Sequence, residues 1–276
     1  MSRVTSGDGT SIAYDRQGSG PAVILIGGGL VDPATGRAGR WENAPLAAEL
    51  SARFTVVNYD RRGRGDSGDS RPYAVARELE DLDALIAEAG APAHLYGISS
   101  GGALALEATA AGLAVNRLAV YEVPYCMARP VLRWSRVFLE QLGPMLAEGR
   151  RGDALALFMW FAGSSEEDIA GARRSPWWPG LEALAHTLAY DAACMGDYRP
   201  ATARLATITQ PVLVATGGVS PDSRVGMGGL PPDFFEQAAD AIAASIPKAQ
   251  RRTFEGQGHV ADARVAVPLL ERFFSS

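Results

Sequence analysis

The chain has 276 residues, of which 47% are hydrophobic and 21% charged, enough for one large domain with a full core and too apolar to stay disordered. Its formal net charge of −5, without a long basic run, argues against a nucleic-acid partner and a strongly anionic substrate and for a neutral or weakly polar small molecule. Met1 to Thr10 is polar, and no window approaches the ~18 apolar residues of a membrane span, so the expected setting is cytoplasmic with no membrane partner. In that setting Cys126 and Cys194 are expected to be free thiols. His94, His186 and His259 are too scattered to suggest a preformed metal site.

Along the chain, short β-rich runs alternate with helical patterns. Ala22 to Ile26 reads as a strand and leads into Gly27-Gly28-Gly29-Leu30; Ala44 to Ala52 reads as a helix and Thr55 to Tyr59 as the next strand. After it comes Asp60-Arg61-Arg62-Gly63-Arg64-Gly65-Asp66-Ser67. Its arginines invite a phosphate-binding reading, but with Asp66 and Asp69 so close they are expected to pair within the segment as a structural turn. A helix over Ala74 to Glu88, a strand at His94 to Tyr96, a helix over Gly102 to Ala111 and a strand at Leu118 to Tyr121 follow. Continuous apolar strands separated by helices predict a doubly wound, mostly parallel α/β sheet covered on both faces.

The alternation then stops. From Tyr121 to Pro211 no strand is legible; Val212 to Thr216, a helix over Phe234 to Ser245 and a last strand at Arg252 to Phe254 resume it. This divides the chain into a core of residues 1–124 and 206–276 and a helical cap of residues 125–205, inserted after the strand ending near Tyr121. The cap is rich in aromatics. They form either its own core or a lid over an apolar pocket at the carboxyl ends of the strands; on the second reading Trp134, Trp160, Trp177 and Tyr190, with Leu30 from the glycine turn, contact substrate. Asp191 either reaches that pocket or is a paired surface carboxylate.

Gly97-Ile98-Ser99-Ser100-Gly101 matches G-x-S-x-G only with Ser99 at the centre, between a strand and a helix. Such a turn strains the central residue, projects its hydroxyl past the strand and offers the helix's first N–H groups to a developing oxyanion. A base is found by elimination. His94 lies on the same strand as Ser99, roughly 16 Å away at 3.3 Å per residue, and His186 falls in the helical insertion. His259, in Gly256-Gln257-Gly258-His259 after the last strand, remains.

Taken in order, the segment Asp60 to Ser67, the turn around Ser99 and the Gly-Gln-Gly-His segment resemble the α/β-hydrolase family from about Gly7 to Phe274. The resemblance implies a serine hydrolase with Ser99 as nucleophile and His259 as base, acting without cofactor or metal. Where most of that family shows His-Gly-x after the first core strand, this chain has Gly27-Gly28-Gly29; the matching amides, those of Gly29 and Ser100, become the expected oxyanion hole, with a purely conformational glycine turn as the alternative.

The acid departs from the family's usual place. After Val212 to Thr216 comes Gly217-Gly218-Val219-Ser220, with serine where the acid usually stands; Asp222 follows two positions late. Glu122 ends an apolar strand, where an unpaired carboxylate is costly, and its setting is similar to that of zearalenone lactonase and its relatives, which carry their acid on that strand. Glu122 is therefore the expected acid and Asp222 the alternative. The chain is expected to cleave a carboxylic ester or lactone of a fairly bulky apolar small molecule through an acyl-enzyme on Ser99. The rival readings are a non-hydrolytic cyclase, lyase or perhydrolase, or a ligand-binding protein of the same fold.

Overall fold

The computed structural model describes residues 1–29, 40–224 and 226–276, the side chain of Asp222 excepted. Two strands not legible in the sequence form one edge of its sheet: β1 (Ser2–Thr5) and β2 (Ser11–Gln17) pair antiparallel, and β2 pairs antiparallel with β4. Then come β3 (Ala22–Ile26), α1 (Ala44–Leu50), β4 (Thr55–Tyr59), α2 (Val75–Ala89), β5 (Ala93–Ile98), α3 (Ser100–Ala110) and β6 (Val115–Tyr121). The insertion contributes α4 (Arg129–Ala147), α5 (Arg151–Phe161), α6 (Glu166–Arg173), α7 (Trp178–Leu184), α8 (Leu188–Met195) and α9 (Thr202–Leu205). The chain closes with β7 (Val212–Gly217), α10 (Phe234–Ser245), β8 (Ala249–Phe254) and α11 (Ala263–Phe274). Among the described residues the sheet has 8 strands in the order β1-β2-β4-β3-β5-β6-β7-β8, parallel from β4 onward.

Every residue of β3, β4, β5 and β7 is buried, as strands covered on both faces require. Alternate side chains feed two cores. Ile24, Leu95, Val120 and Val214 pack with α2, α3 and α10, whereas Leu25, Tyr96, Tyr121 and Ala215 pack with α1 and α11. The first core runs on into the insertion through Val131, Phe138, Phe161, Leu188 and Met195, so its helices share the hydrophobic interior of the sheet. Among the described residues no helix is long and apolar enough to cross a membrane.

His94 is buried on β5 between Phe54 and Phe274, with ring centroids 6.3 and 4.8 Å away. Burial pushes its imidazole down to about 4, so it is a neutral core residue. The thiols of Cys126 and Cys194 are free.

Candidate active site

Ser99 joins β5 to α3 at φ 55° and ψ −129°, a strained conformation costing roughly 1–3 kcal/mol. The turn exists because the residues two positions away lack side chains. A Cβ on Gly97 would lie 2.5 Å from the Gly101 carbonyl oxygen, and one on Gly101 would lie 2.3 Å from that of Gly27. These obstacles are backbone atoms that no rotamer change removes. Gly101→Ala is therefore expected to lower stability by about 3 kcal/mol, read as a fall in the urea midpoint.

Pairing of Ile98 with Tyr121 brings the ends of β5 and β6 level, and the Ser99 N–H donates to the Tyr121 carbonyl at 2.9 Å. Glu122 thus emerges beside Ser99, itself at φ 47°. Glu122 Oε2 lies 2.7 Å from His259 Nδ1. A carboxylate only accepts, so Nδ1 carries the proton and Nε2 is left to accept another. The loop before His259 is tied down by the Tyr121 hydroxyl, which donates to the Gly258 carbonyl, and Phe235 stacks on the imidazole at 5.2 Å. Ser99 and His259 line one cavity. Among the described residues Ser99 Oγ makes no hydrogen bond, which leaves its hydroxyl free at the cavity wall.

Sequence reasoning missed a further partner of Glu122. Arg224, just past the 3₁₀ turn Pro221–Ser223, forks onto the carboxylate, with Nη1 donating to Oε2 at 2.6 Å and Nη2 to Oε1 at 2.8 Å. The Gly217 N–H donates to Oε1 at 2.9 Å. Arg224 also lies 5.2 Å over the Phe235 ring and donates to the Val219 carbonyl. Burial pushes the Glu122 carboxyl up, but His259 and Arg224 outweigh it and hold the group below the usual 4.5. Asp222, the alternative acid, belongs to the 3₁₀ turn, and its side chain lies outside the described residues.

On the other side of Ser99, neither the Gly29 nor the Ser100 N–H donates to another described residue, whereas the Gly28 N–H is taken by Glu42 Oε2 at 2.9 Å. The arginines after β4 do not pair within their own segment. Arg61 grips Glu78 (2.7 Å) and Asp191 (2.8 Å), Arg62 grips Asp8 (2.9 Å) and Asp81 (2.7 Å), and Arg64 grips Asp191 (2.7 Å). Asp66 instead meets Arg40 at 2.6 Å, and Asp69 accepts from the Tyr190 hydroxyl at 2.9 Å. All three arginines are buried and need counter-charges from other elements, which a solvated local turn would not supply.

Burial pushes Asp191 and Glu78 up, but their arginines prevail and hold both below the ordinary carboxylate values of 3.8 and 4.5. With Glu122 they bind fewer protons folded than unfolded, so the stability they contribute is complete above those values and lost as pH falls through their depressed pKa values. Glu42 and Asp81, raised by burial, run the opposite way and offset part of it on acidification. The urea midpoint is expected to hold from neutrality to about pH 5 and to fall below that.

The cavity, about 640 Å³ with its mouth included, is bounded at its polar end by Gly29, Ser99, Ser100, Asp191 and His259. Its remaining walls are apolar, chiefly Phe158, Phe161, Met195, Met227, Leu230 and Phe234. Trp134, Trp160, Trp177 and Tyr190 do not line it, which corrects the expectation placed on them. Trp134 and Trp160 pack on one another at 6.3 Å, Trp177 joins a satellite cluster with Leu155 and Trp178, and Tyr190 stacks on Tyr73 at 3.8 Å with its hydroxyl on Asp69. Leu30 lies outside the described residues. Asp191, left open by the sequence, is buried and on the cavity wall; its signal was an acid in the otherwise apolar helix LAYDAACM.

The model of the alpha/beta hydrolase family matches residues 23–269. A solved alpha/beta hydrolase from Sphaerobacter thermophilus is 44% identical, with a TM-score of 0.83 over 99% of this chain and 100% of that one. The enol-lactonase of Burkholderia xenovorans, 20% identical over 99% of this chain and 98% of that one with a TM-score of 0.68, shares the fold. Among curated proteins, the uncharacterized hydrolase YraK of Bacillus subtilis is 34% identical over 103 residues, 36% of this chain and 35% of that protein. The chain thus spans about a third of that relative's length.

Proposed function

We propose that this chain, which belongs to the alpha/beta hydrolase family, hydrolyses a carboxylic ester or lactone through an acyl-enzyme on Ser99, with residues 125–205 acting as the cap over the site. One observation carries the reading: His259, whose Nδ1 lies 2.7 Å from the buried Glu122, lines the same cavity as a serine held at φ 55° between strand and helix.

Ser99 Oγ attacks the carbonyl carbon as His259 Nε2 takes its proton, and Glu122 stabilises the imidazolium. The carbonyl π pair moves to oxygen, and the Gly29 and Ser100 N–H groups receive the oxyanion. Its collapse expels the alkoxide, which takes the proton back from His259. Water activated by the same histidine then attacks the acyl carbon, releasing the acid and restoring Ser99.

The apolar walls favour uncharged substrates. Butyrate and benzoate p-nitrophenyl esters are expected to exceed acetate in kcat/KM, by up to about tenfold per added methylene that fits. The deciding test is turnover of an ester and lactone panel in oxygen-18 water, combined with labelling by a fluorophosphonate. One oxygen-18 in the released acid and a single adduct on Ser99 are expected. A product lacking water, or no adduct on folded protein, would overturn the proposal in favour of a non-hydrolytic or binding role.

A further inference from the structure

The two peptides of the glycine turn are gripped from outside, and this has a bearing on the oxyanion hole. Gly27, Gly28 and Gly29 have no side chains to fix their backbone, so the direction of each peptide is set by its partners. The Gly27–Gly28 peptide is held at both ends: Arg61 Nη1 donates to the Gly27 carbonyl at 3.5 Å, and the Gly28 N–H donates to Glu42 at 2.9 Å. In the Gly28–Gly29 peptide, Arg64 Nη1 donates to the Gly28 carbonyl at 2.6 Å. A trans peptide points its N–H opposite to its C=O. The Gly29 N–H is therefore turned away from Arg64.

Both guanidiniums are anchored by one residue of the insertion. Asp191 on α8 accepts from Arg61 Nη1 at 2.8 Å and Arg64 Nη2 at 2.7 Å, and also from the Ser100 hydroxyl at 2.8 Å. Arg61 further holds Glu78 through two bonds of 2.7 Å, so the two arginines face two carboxylates and the buried cluster is neutral. A single carboxylate thereby ties α8 to both residues that carry the proposed oxyanion donors, by way of Arg64 to the Gly28–Gly29 peptide and, by accepting from its hydroxyl, to Ser100.

We infer that Asp191 and Arg64 are positioning residues that aim the oxyanion hole, so that docking of α8 on the glycine turn sets transition-state stabilisation. The inference rests on the hydrolase reading above and adds to it a role for the insertion in the chemistry.

The test uses p-nitrophenyl butyrate as substrate and two inhibitors, benzyl trifluoromethyl ketone and its carbinol. The ketone forms a bond from its carbonyl carbon to Ser99 Oγ, its π pair becomes an oxyanion in the hole, and the serine proton passes to His259; the carbinol fills the cavity without forming that anion. In Asp191→Asn and Arg64→Lys, kcat is expected to fall about 10²-fold with KM nearly constant, and the Ki of the ketone to rise by a similar factor while that of the carbinol stays put. Ser100→Ala, which leaves every charge paired, should move the ketone-to-carbinol ratio the same way by a few-fold, and it serves if the charged-cluster variants do not fold. An unchanged ratio in folded variants that still label at Ser99 would overturn the inference alone. Loss of fluorophosphonate labelling in the wild type would instead overturn the hydrolase reading.

Discussion

Glu122→Gln is expected to lower kcat for p-nitrophenyl butyrate by about 10⁴-fold with little change in KM, because an amide neither holds His259 in the tautomer that leaves Nε2 free nor stabilises the imidazolium. Here the substitution has a second consequence. Glu122 is also the counter-ion of Arg224, whose side chain is 8% exposed. Removing one partner of a buried pair strands the other charge at a cost of about 3–5 kcal/mol, so the variant should melt several degrees lower. The two effects separate in the double variant Glu122→Gln with Arg224→Met. Neutralising the stranded cation should recover most of the melting temperature and none of the kcat. If kcat recovered along with stability, the loss would be one of folding, and the acid would have to be sought elsewhere, first at Asp222.

Ser99→Gly should abolish turnover, by about 10⁶-fold in kcat, and at the same time stabilise the protein. Glycine accepts φ 55° and ψ −129° without a side-chain clash, releasing roughly 1–2 kcal/mol of strain. Ser99→Ala removes the hydroxyl but keeps a Cβ in the same conformation, so it should be equally inactive and no more stable than wild type. Thermal melts of the pair isolate the backbone term. Equal melting temperatures for Gly and Ala would show that the turn holds no strain at this residue and that its geometry is set by the flanking glycines alone.

How much of this was legible beforehand depended on where the physical constraint lies. The run AVILI of β3 can only be a strand buried on both faces, and Phe234 to Ser245 forms a helix with those limits. β1 and β2 escaped because an edge pair mixes exposed polar with buried apolar residues in segments too short to show a period. Ser99 and His259 announced themselves through glycines that only a tight turn explains, and Glu122 through the oddity of a carboxylate ending an apolar strand. Arg224 gave no such signal. It is one arginine among many in a loop, and its meaning comes from a partner 102 residues away. The tryptophans misled because a large aromatic was equated with a substrate wall. Indole also seeks a polar partner, as Trp178 Nε1 finds in Glu182 at 2.8 Å, and the cavity is lined instead by Phe, Met and Leu.

The place of Glu122 at the end of β6 bears on how such a protein can change its tastes. The segment between β7 and α10 supplies Met227 and Leu230 to the cavity wall, while the carboxylate that meets His259 follows directly on β6, two neighbours from β8. On the proposed mechanism, a loop relieved of the acid can lengthen, shorten or exchange side chains beyond Arg224 without disturbing the Glu122 carboxylate that holds His259. Selection, natural or in the laboratory, thus has a stretch of chain in which specificity can drift while the reacting atoms stay where they are.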